Sequence, residues 1–227
     1  MTDRPSTNRS FAFQGRTARE YEYMFDLDHA TWSSILDCGA GPSSFTAEIR
    51  EKTEAVAVDP AYQASVSELR ARSEATVERL ASRFANIEGR FVWDFYENLD
   101  DRISYLERAH ERFFADFGSA PGRYIAAALP HLPFRTDSFD LALVAHLLFM
   151  YDRWMNEEFH RKAIGELCRV ARTEVRVYPL FSIDGTRSKF VDPVVTWLED
   201  VGHHVERRTV PFEFQQGANE VLVVNPA

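Results

Sequence analysis

The sequence predicts an α/β fold with a doubly wound, mostly parallel sheet and a helical insertion, on three observations. A strand-like run, Ser34 to Cys38, ends in the glycine turn Gly39-Ala40-Gly41-Pro42, and a second run, Ala55 to Val58, ends at Asp59-Pro60. Residues 61–119 then break the rhythm with helical spacing and few glycines. From Arg123 onward strands and helices alternate again. A strand, crossover and strand of this kind make a right-handed βαβ unit, which requires parallel pairing.

Each element has its own local reason. Thr17 to Phe25 reads as a short helix, because Tyr21, Met24 and Phe25 fall at i, i+3 and i+4. Ser34 to Cys38 is too short for a helix and is bounded by a breaker, so it is a buried strand. Ser43 or Ser44 is placed to cap the next helix, which runs to about Lys52. Pro60 stops the second strand. In the insertion, Ser65 to Phe84 carries Val66, Leu69, Val77, Leu80 and Phe84 in helical phase. Asp100 to Phe117 does the same with Ile103, Leu106, Ala109, Phe113, Phe114 and Phe117. The aromatic patch Phe91, Trp93, Phe95 and Tyr96 lies between them, and reads either as a substrate lid or as the insertion's own small core. Arg123 to Ala127 is a short strand and Phe139 to Ala145 a fully buried one. Phe159 to Ala171 is a helix, Glu174 to Pro179 a strand, and Val191 to Val201 a helix closed by Gly202. His203 to Phe214 and Glu220 to Val224 are the last two strands, the first by alternation.

Composition narrows the function. The 227 residues suit one domain, 1–227, with an N-terminal cap segment at 11–30 and the insertion at 61–119. A hydrophobic content of 45% with 27% charged residues is ordinary globular usage. The net charge of −9 argues against a broad nucleic-acid-binding face. Cys38 and Cys168 sit in apolar stretches without metal-ligand spacing, so they read as buried reduced thiols of a cytoplasmic protein. Met1 to Ser10 is polar, unlike a secretory signal, and reads as a frayed tail. The longest apolar run, Leu141 to Met150, has 10 residues and is interrupted by His146, too short for a bilayer. Neither nucleic acid, membrane nor metal is therefore expected as a partner.

The first strand–turn–helix carries the chemistry. Glycines let a ligand approach the backbone, and the following helix aims its free N–H groups at the same place. Asp59, 18 residues after Gly41, stands where a doubly wound fold presents an acid to the ribose hydroxyls of an adenosine cofactor. Two cofactor classes share this layout. A dinucleotide fingerprint wants a third glycine where Ser44 stands.

Four segments together resemble class I S-adenosylmethionine-dependent methyltransferases, over about Ile35 to Leu180. They are Ile35-Leu36-Asp37-Cys38-Gly39-Ala40-Gly41-Pro42, Val56-Ala57-Val58-Asp59, Leu132-Pro133-Phe134 through Phe139-Asp140, and Glu166-Leu167-Cys168-Arg169-Val170. The resemblance implies a seven-stranded sheet of order 3-2-1-4-5-7-6 and S-adenosylmethionine as cofactor. It implies that Gly39, Ala40 and Gly41 pass under the methionine part of that cofactor, that Asp37 orients it, and that Asp59 takes the ribose. The backbone N–H of Leu129 then faces the adenine. Ala128 replaces the acid that many members carry there. Arg16 is a candidate for the cofactor carboxylate or else a solvated arginine. His146, at the rim after strand four, is the candidate general base, with pocket lining and core packing as alternatives. Tyr151 either flanks the substrate or packs on the core. Tyr21 and Phe25 suit helix packing, His131 the surface, His203 and His204 the start of an edge strand, and Glu107 to Arg112 a solvated helix face. The activity implied is methyl transfer to a small molecule. A cofactor-binding protein without transfer activity is the alternative, motivated by Ala128, and a nicotinamide oxidoreductase is a third reading.

Overall fold

The computed structural model describes residues 11–84 and 88–227, so Met1 to Ser10 lies outside the described residues. Among the described residues the strands are β1 (Ser34–Cys38), β2 (Glu54–Val58), β3 (Tyr124–Ile125), β4 (Phe139–Ala145), β5 (Ala171–Tyr178), β6 (His204–Thr209) and β7 (Glu220–Asn225). They form one sheet in the order β3-β2-β1-β4-β5-β7-β6, as the resemblance implies. The first five strands pair in parallel, and β7 runs antiparallel to both β5 and β6.

Helices cover both faces, which is why the strands read as continuous apolar runs. Neighbouring strand residues go to opposite cores. Leu36, Cys38, Ala142, Val144, Val175 and Val177 pack with residues of α5 (Glu157–Val170) and α6 (Val191–Asp200). Ile35, Leu141, Leu143, Val221 and Val223 pack with residues of α1 (Ala18–Phe25) and α2 (Phe45–Ile49). Both cysteines are free and buried, and burial pushes their thiols upward, Cys168 to about 12.

The insertion supplies α3 (Val66–Phe84) and α4 (Leu99–Phe117), which pack on each other. Phe113 and Phe114 of α4 close a third cluster over Tyr62, Leu69 and Tyr124. The aromatic patch does not belong to that cluster. Tyr96 is buried in the α1-side core, and Phe95 and Tyr96 meet Phe212 with ring centroids 4.9 and 5.9 Å apart. Phe91 stacks on Phe214 at 4.6 Å, and the Val92 N–H donates to the Phe214 carbonyl at 2.9 Å. The insertion is thus laced to the β6–β7 connection, a distant contact that local periodicity does not encode.

Several boundaries differ from the sequence reading. The strand expected over Arg123 to Ala127 keeps only Tyr124–Ile125, since a 3-10 turn, Pro121–Arg123, precedes it and β2 alone flanks it. The helix expected to reach Lys52 ends at Ile49. Ser44 makes no side-chain cap to it, and the Ser43 hydroxyl accepts from the Phe45 N–H instead. Ala171 opens β5 rather than ending α5. The strand expected over His203 to Phe214 stops at Thr209, where Val210 and Phe212 turn into the core ahead of the return to β7.

At its N-terminal end α1 carries a capping box, with Thr17 accepting from the Glu20 N–H and the Glu20 carboxylate accepting from the Thr17 N–H. One residue on, the Tyr21 hydroxyl donates to the Asp37 carboxylate at 2.9 and 3.0 Å, fastening α1 to β1. Asp37 has no exposed surface, and burial lifts its carboxyl to about 7, against the lowering effect of the Tyr21 hydrogen bond. Because the folded value lies above the unfolded one, the protonated form stabilises the fold, fully below about pH 4, and this contribution is lost as pH rises through about 7. Asp37→Asn is therefore expected to raise stability at pH 8 by up to about 4 kcal/mol, with the gain fading towards pH 4. Urea unfolding of both proteins across that range checks it, and a gain independent of pH contradicts it.

Candidate functional site

The site begins at the turn leaving β1. Gly39 and Gly41 have φ of +74° and +54°, a left-handed backbone that disfavours side chains. The N–H groups of Gly39 and Ala40 donate to the Val58 carbonyl at 2.7 and 3.2 Å. The Gly41 N–H donates to Asp59 Oδ2 at 3.0 Å, and the Ala61 N–H to Oδ1 at 2.8 Å. The Tyr62 hydroxyl closes the turn by donating to the Gly41 carbonyl at 2.6 Å. Burial raises the Asp59 carboxyl, while the two backbone donors and then Arg72 act to lower it. Each of its oxygens keeps a second lone pair for a further donor.

The N-terminal segment lies beside this turn. The Arg16 carbonyl accepts from the Ser43 hydroxyl at 2.9 Å and from the Ser44 N–H at 3.0 Å. The Gly15 N–H points at His110 Nε2, 3.4 Å away. His110 is buried, and burial followed by Arg102 and Arg16 lowers it to about 4, so it accepts as a neutral ring. The Ala12 N–H donates to the Tyr151 hydroxyl at 3.1 Å, and Phe11 packs edge-on against Tyr151 and Trp154.

Turn, N-terminal segment and insertion enclose a cavity of about 1000 Å³. Gly39, Ala40, Gly41, Asp59, Ala128 and Leu129 line one part of it, and Arg16, His146 and Tyr151 also reach it. Asp37 does not line it. Tyr21 does, so the Asp37 carboxylate communicates with the cavity through that hydroxyl. His146 follows β4 with φ +52°, and its N–H donates to the Tyr178 carbonyl at 2.7 Å. Its Nδ1 has no hydrogen-bond partner, and burial, with Arg16 and Arg102 nearby, holds the ring well below the usual imidazole range. Arg16 is buried rather than solvated, with Nε 3.4 Å from Glu20 Oε1. Tyr151 is buried and stacked on Trp154 at 5.2 Å. His131 is exposed and turns its N–H to the Ala128 carbonyl. His203 precedes β6 and His204 opens it.

Sequence reasoning missed Arg102, Gln14, Glu20 and Tyr178. Arg102 is the most informative omission. It shares a helical face with Leu106, Ala109 and Phe113, all buried, so an arginine in phase with an apolar stripe was the available signal. His110, read as part of a solvated face, is buried for the same reason, while Glu107, Arg108, Glu111 and Arg112 are exposed. Among the described residues no helix is long and apolar enough to cross a membrane, and no group of three or more metal-ligating side chains occurs.

No protein-family model matches the chain. Among solved structures, it is similar to the N-methyltransferase NodS from Bradyrhizobium japonicum WM9, with a TM-score of 0.48 and 15% identity, covering 92% of this chain and 95% of that one. A TehB-like SAM-dependent methyltransferase from Corynebacterium glutamicum gives 0.47 and 15%, covering 92% and 85%. The sequence relation is closer to the uncharacterized protein MJ0045 of Methanocaldococcus jannaschii, at 30% identity over 213 residues, 92% of this chain and 94% of that protein. The chain belongs to the same family as that archaeal protein.

Proposed function

We propose that the protein is an S-adenosylmethionine-dependent methyltransferase acting on a small molecule. The observation that carries this reading is the single cavity joining the glycine turn and Asp59 to His146 beyond the end of β4. The residues present fit such a cofactor. Gly39, Ala40 and Gly41 offer a close backbone approach to its methionine part. Asp59 has free lone pairs for two ribose hydroxyls, and Ala128 and Leu129 border the place for the adenine. Arg16, buried and lining the cavity beside the glycine turn, is the candidate for the carboxylate. Asp37, acting through Tyr21, is the candidate for orienting the amino end.

The cofactor supplies an activated methyl group, so the protein's work is alignment and exclusion of water. Segment 11–17 and the insertion wall the cavity from solvent. His146, neutral through the physiological range, lines the cavity and is the candidate to take a proton from an acceptor that arrives protonated. Tyr151 narrows the acceptor end while holding the N-terminal segment through Ala12.

S-Adenosylhomocysteine is expected to raise the melting temperature and NADH to leave it unchanged. The reverse result removes this reading. Asp59→Ala is expected to weaken S-adenosylhomocysteine by roughly 1.5–3 kcal/mol for each hydrogen bond lost, read by calorimetry. Unchanged affinity takes Asp59 out of the site. His146→Ala is expected to lower turnover tenfold or more on the best acceptor of a small-molecule panel, with cofactor affinity kept. Loss of that affinity instead makes His146 a pocket wall. The His146 ring already stays neutral, so it contributes no loss of rate between pH 8 and 6. Cofactor binding with no methyl consumption on any acceptor supports the alternative of a binding protein without transfer activity.

A further inference from the structure

The chain carries a net charge of −9, yet its cavity is cationic. Arg16, Arg72, Arg90 and Arg102 line it against two acids, Asp59 and Asp184. A cleft that gathers the sign opposite to the rest of the molecule selects for its ligand. Arg72 and Arg90 are exposed, so the buried pair, Arg16 and Arg102, decides what binds inside.

These two guanidiniums are not equivalent. Glu20, with no exposed surface, lies 3.4 Å from Arg16 and neutralises it. The same carboxylate is already engaged by the Thr17 N–H, the Thr17 hydroxyl and the Tyr96 hydroxyl. Arg102 is 2% exposed and makes no salt bridge among the described residues. Its Nη2 donates to Gln14 Oε1 at 3.3 Å, while Nε and Nη1 have no hydrogen-bond partner. Its guanidinium lies 5.1 Å from the Tyr96 ring and 5.8 Å from Phe214, and the Glu20 carboxylate reaches it only at longer range, so two arginines share one buried acid. A buried cation with unmet donors is costly unless an anion joins it.

The surroundings place that anion. Arg16 stands beside the glycine turn, because its own carbonyl accepts from Ser43 and Ser44. Arg102 projects from the insertion onto the Tyr96–Phe214 wall, which the β6–β7 connection shares with Tyr178. Met150, Phe91 and Phe159 also line the cavity. A single unmatched positive charge balances one negative charge, which suits a carboxylate better than a phosphate of nearly two.

We propose that the acceptor end binds an aromatic or apolar carboxylic acid, with its carboxylate held by Arg102 and its body against Phe214 and Tyr178. That this ligand is the methyl acceptor rests on the methyltransferase reading; the carboxylate site itself does not.

Calorimetry with benzoate and 2-naphthoate, their neutral amides, and phenyl phosphate tests it, each with and without saturating S-adenosylhomocysteine. At least one carboxylate is expected to bind tenfold or more tightly than its own amide. Arg102→Met is expected to abolish that preference while keeping S-adenosylhomocysteine affinity within twofold, and Arg102→Lys to restore part of it. Equal affinity for acid and amide, or no binding of either acid, overturns the proposal. So does tighter binding of phenyl phosphate, or an Arg102→Met protein that loses S-adenosylhomocysteine and keeps the carboxylate. Should the variant fail to fold, the acid–amide comparison on the wild-type protein decides alone. A carboxylate preference without any S-adenosylhomocysteine binding sustains the site and sinks the methyltransferase reading.

Discussion

The hydrogen bond from the Gly41 N–H to the Asp59 carboxylate is the constraint on which the rest of the site depends. It joins the turn after β1 to the end of the adjacent strand. Two left-handed glycines make the turn possible, and the Val58 carbonyl and Tyr62 hydroxyl hold it in place. A carboxylate that merely capped the 3-10 turn after β2 would need one oxygen for Ala61. Here the second oxygen is spent on the glycine turn, so the acid and the turn form one rigid edge of the cavity.

Everything else that encloses the cavity is brought to this edge from afar. The N-terminal segment reaches it through Ser43 and Ser44, and α1 is pinned to β1 by the Tyr21–Asp37 pair. The insertion meets the N-terminal segment, with His110 facing Gly15, and is laced to the β6–β7 connection through Val92, Phe91 and Phe214. Binding at the edge thus takes place beneath two covers with separate anchors. Arg16 belongs to one cover and Arg102 to the other, and the two guanidiniums meet side by side at Gln14 Oε1. Gln14, within 3.5 Å of Arg16 and 3.3 Å of Arg102, is the polar link between them.

The electrostatics follow from the same enclosure. Burial raises the carboxyls of Asp37 and Asp59 and lowers His146 and His110, so desolvation moves each group towards its neutral form. Arginine does not relinquish its proton in this way. The guanidinium groups therefore keep their charge in the cavity, in a protein whose overall balance is acidic.

The order of elements, the strand assignments of the central sheet and the glycine-turn edge were legible in the residues. They are set by local rules: apolar runs too short for helices, breakers at their ends, and glycines followed by a helix start. The strand order of the edge hairpin came with the motif resemblance rather than from spacing. Tertiary structure alone decided the extent of the edge strands, because β3 and β6 each have a single neighbour and their ends are settled by packing. It also decided the allegiance of the aromatic patch, which joins the α1-side core and meets Phe212 and Phe214, more than a hundred positions away. Above all it decided the state of Arg102. A sequence shows that an arginine falls on an apolar helical face, but whether a carboxylate meets it depends on which distant chains close around it.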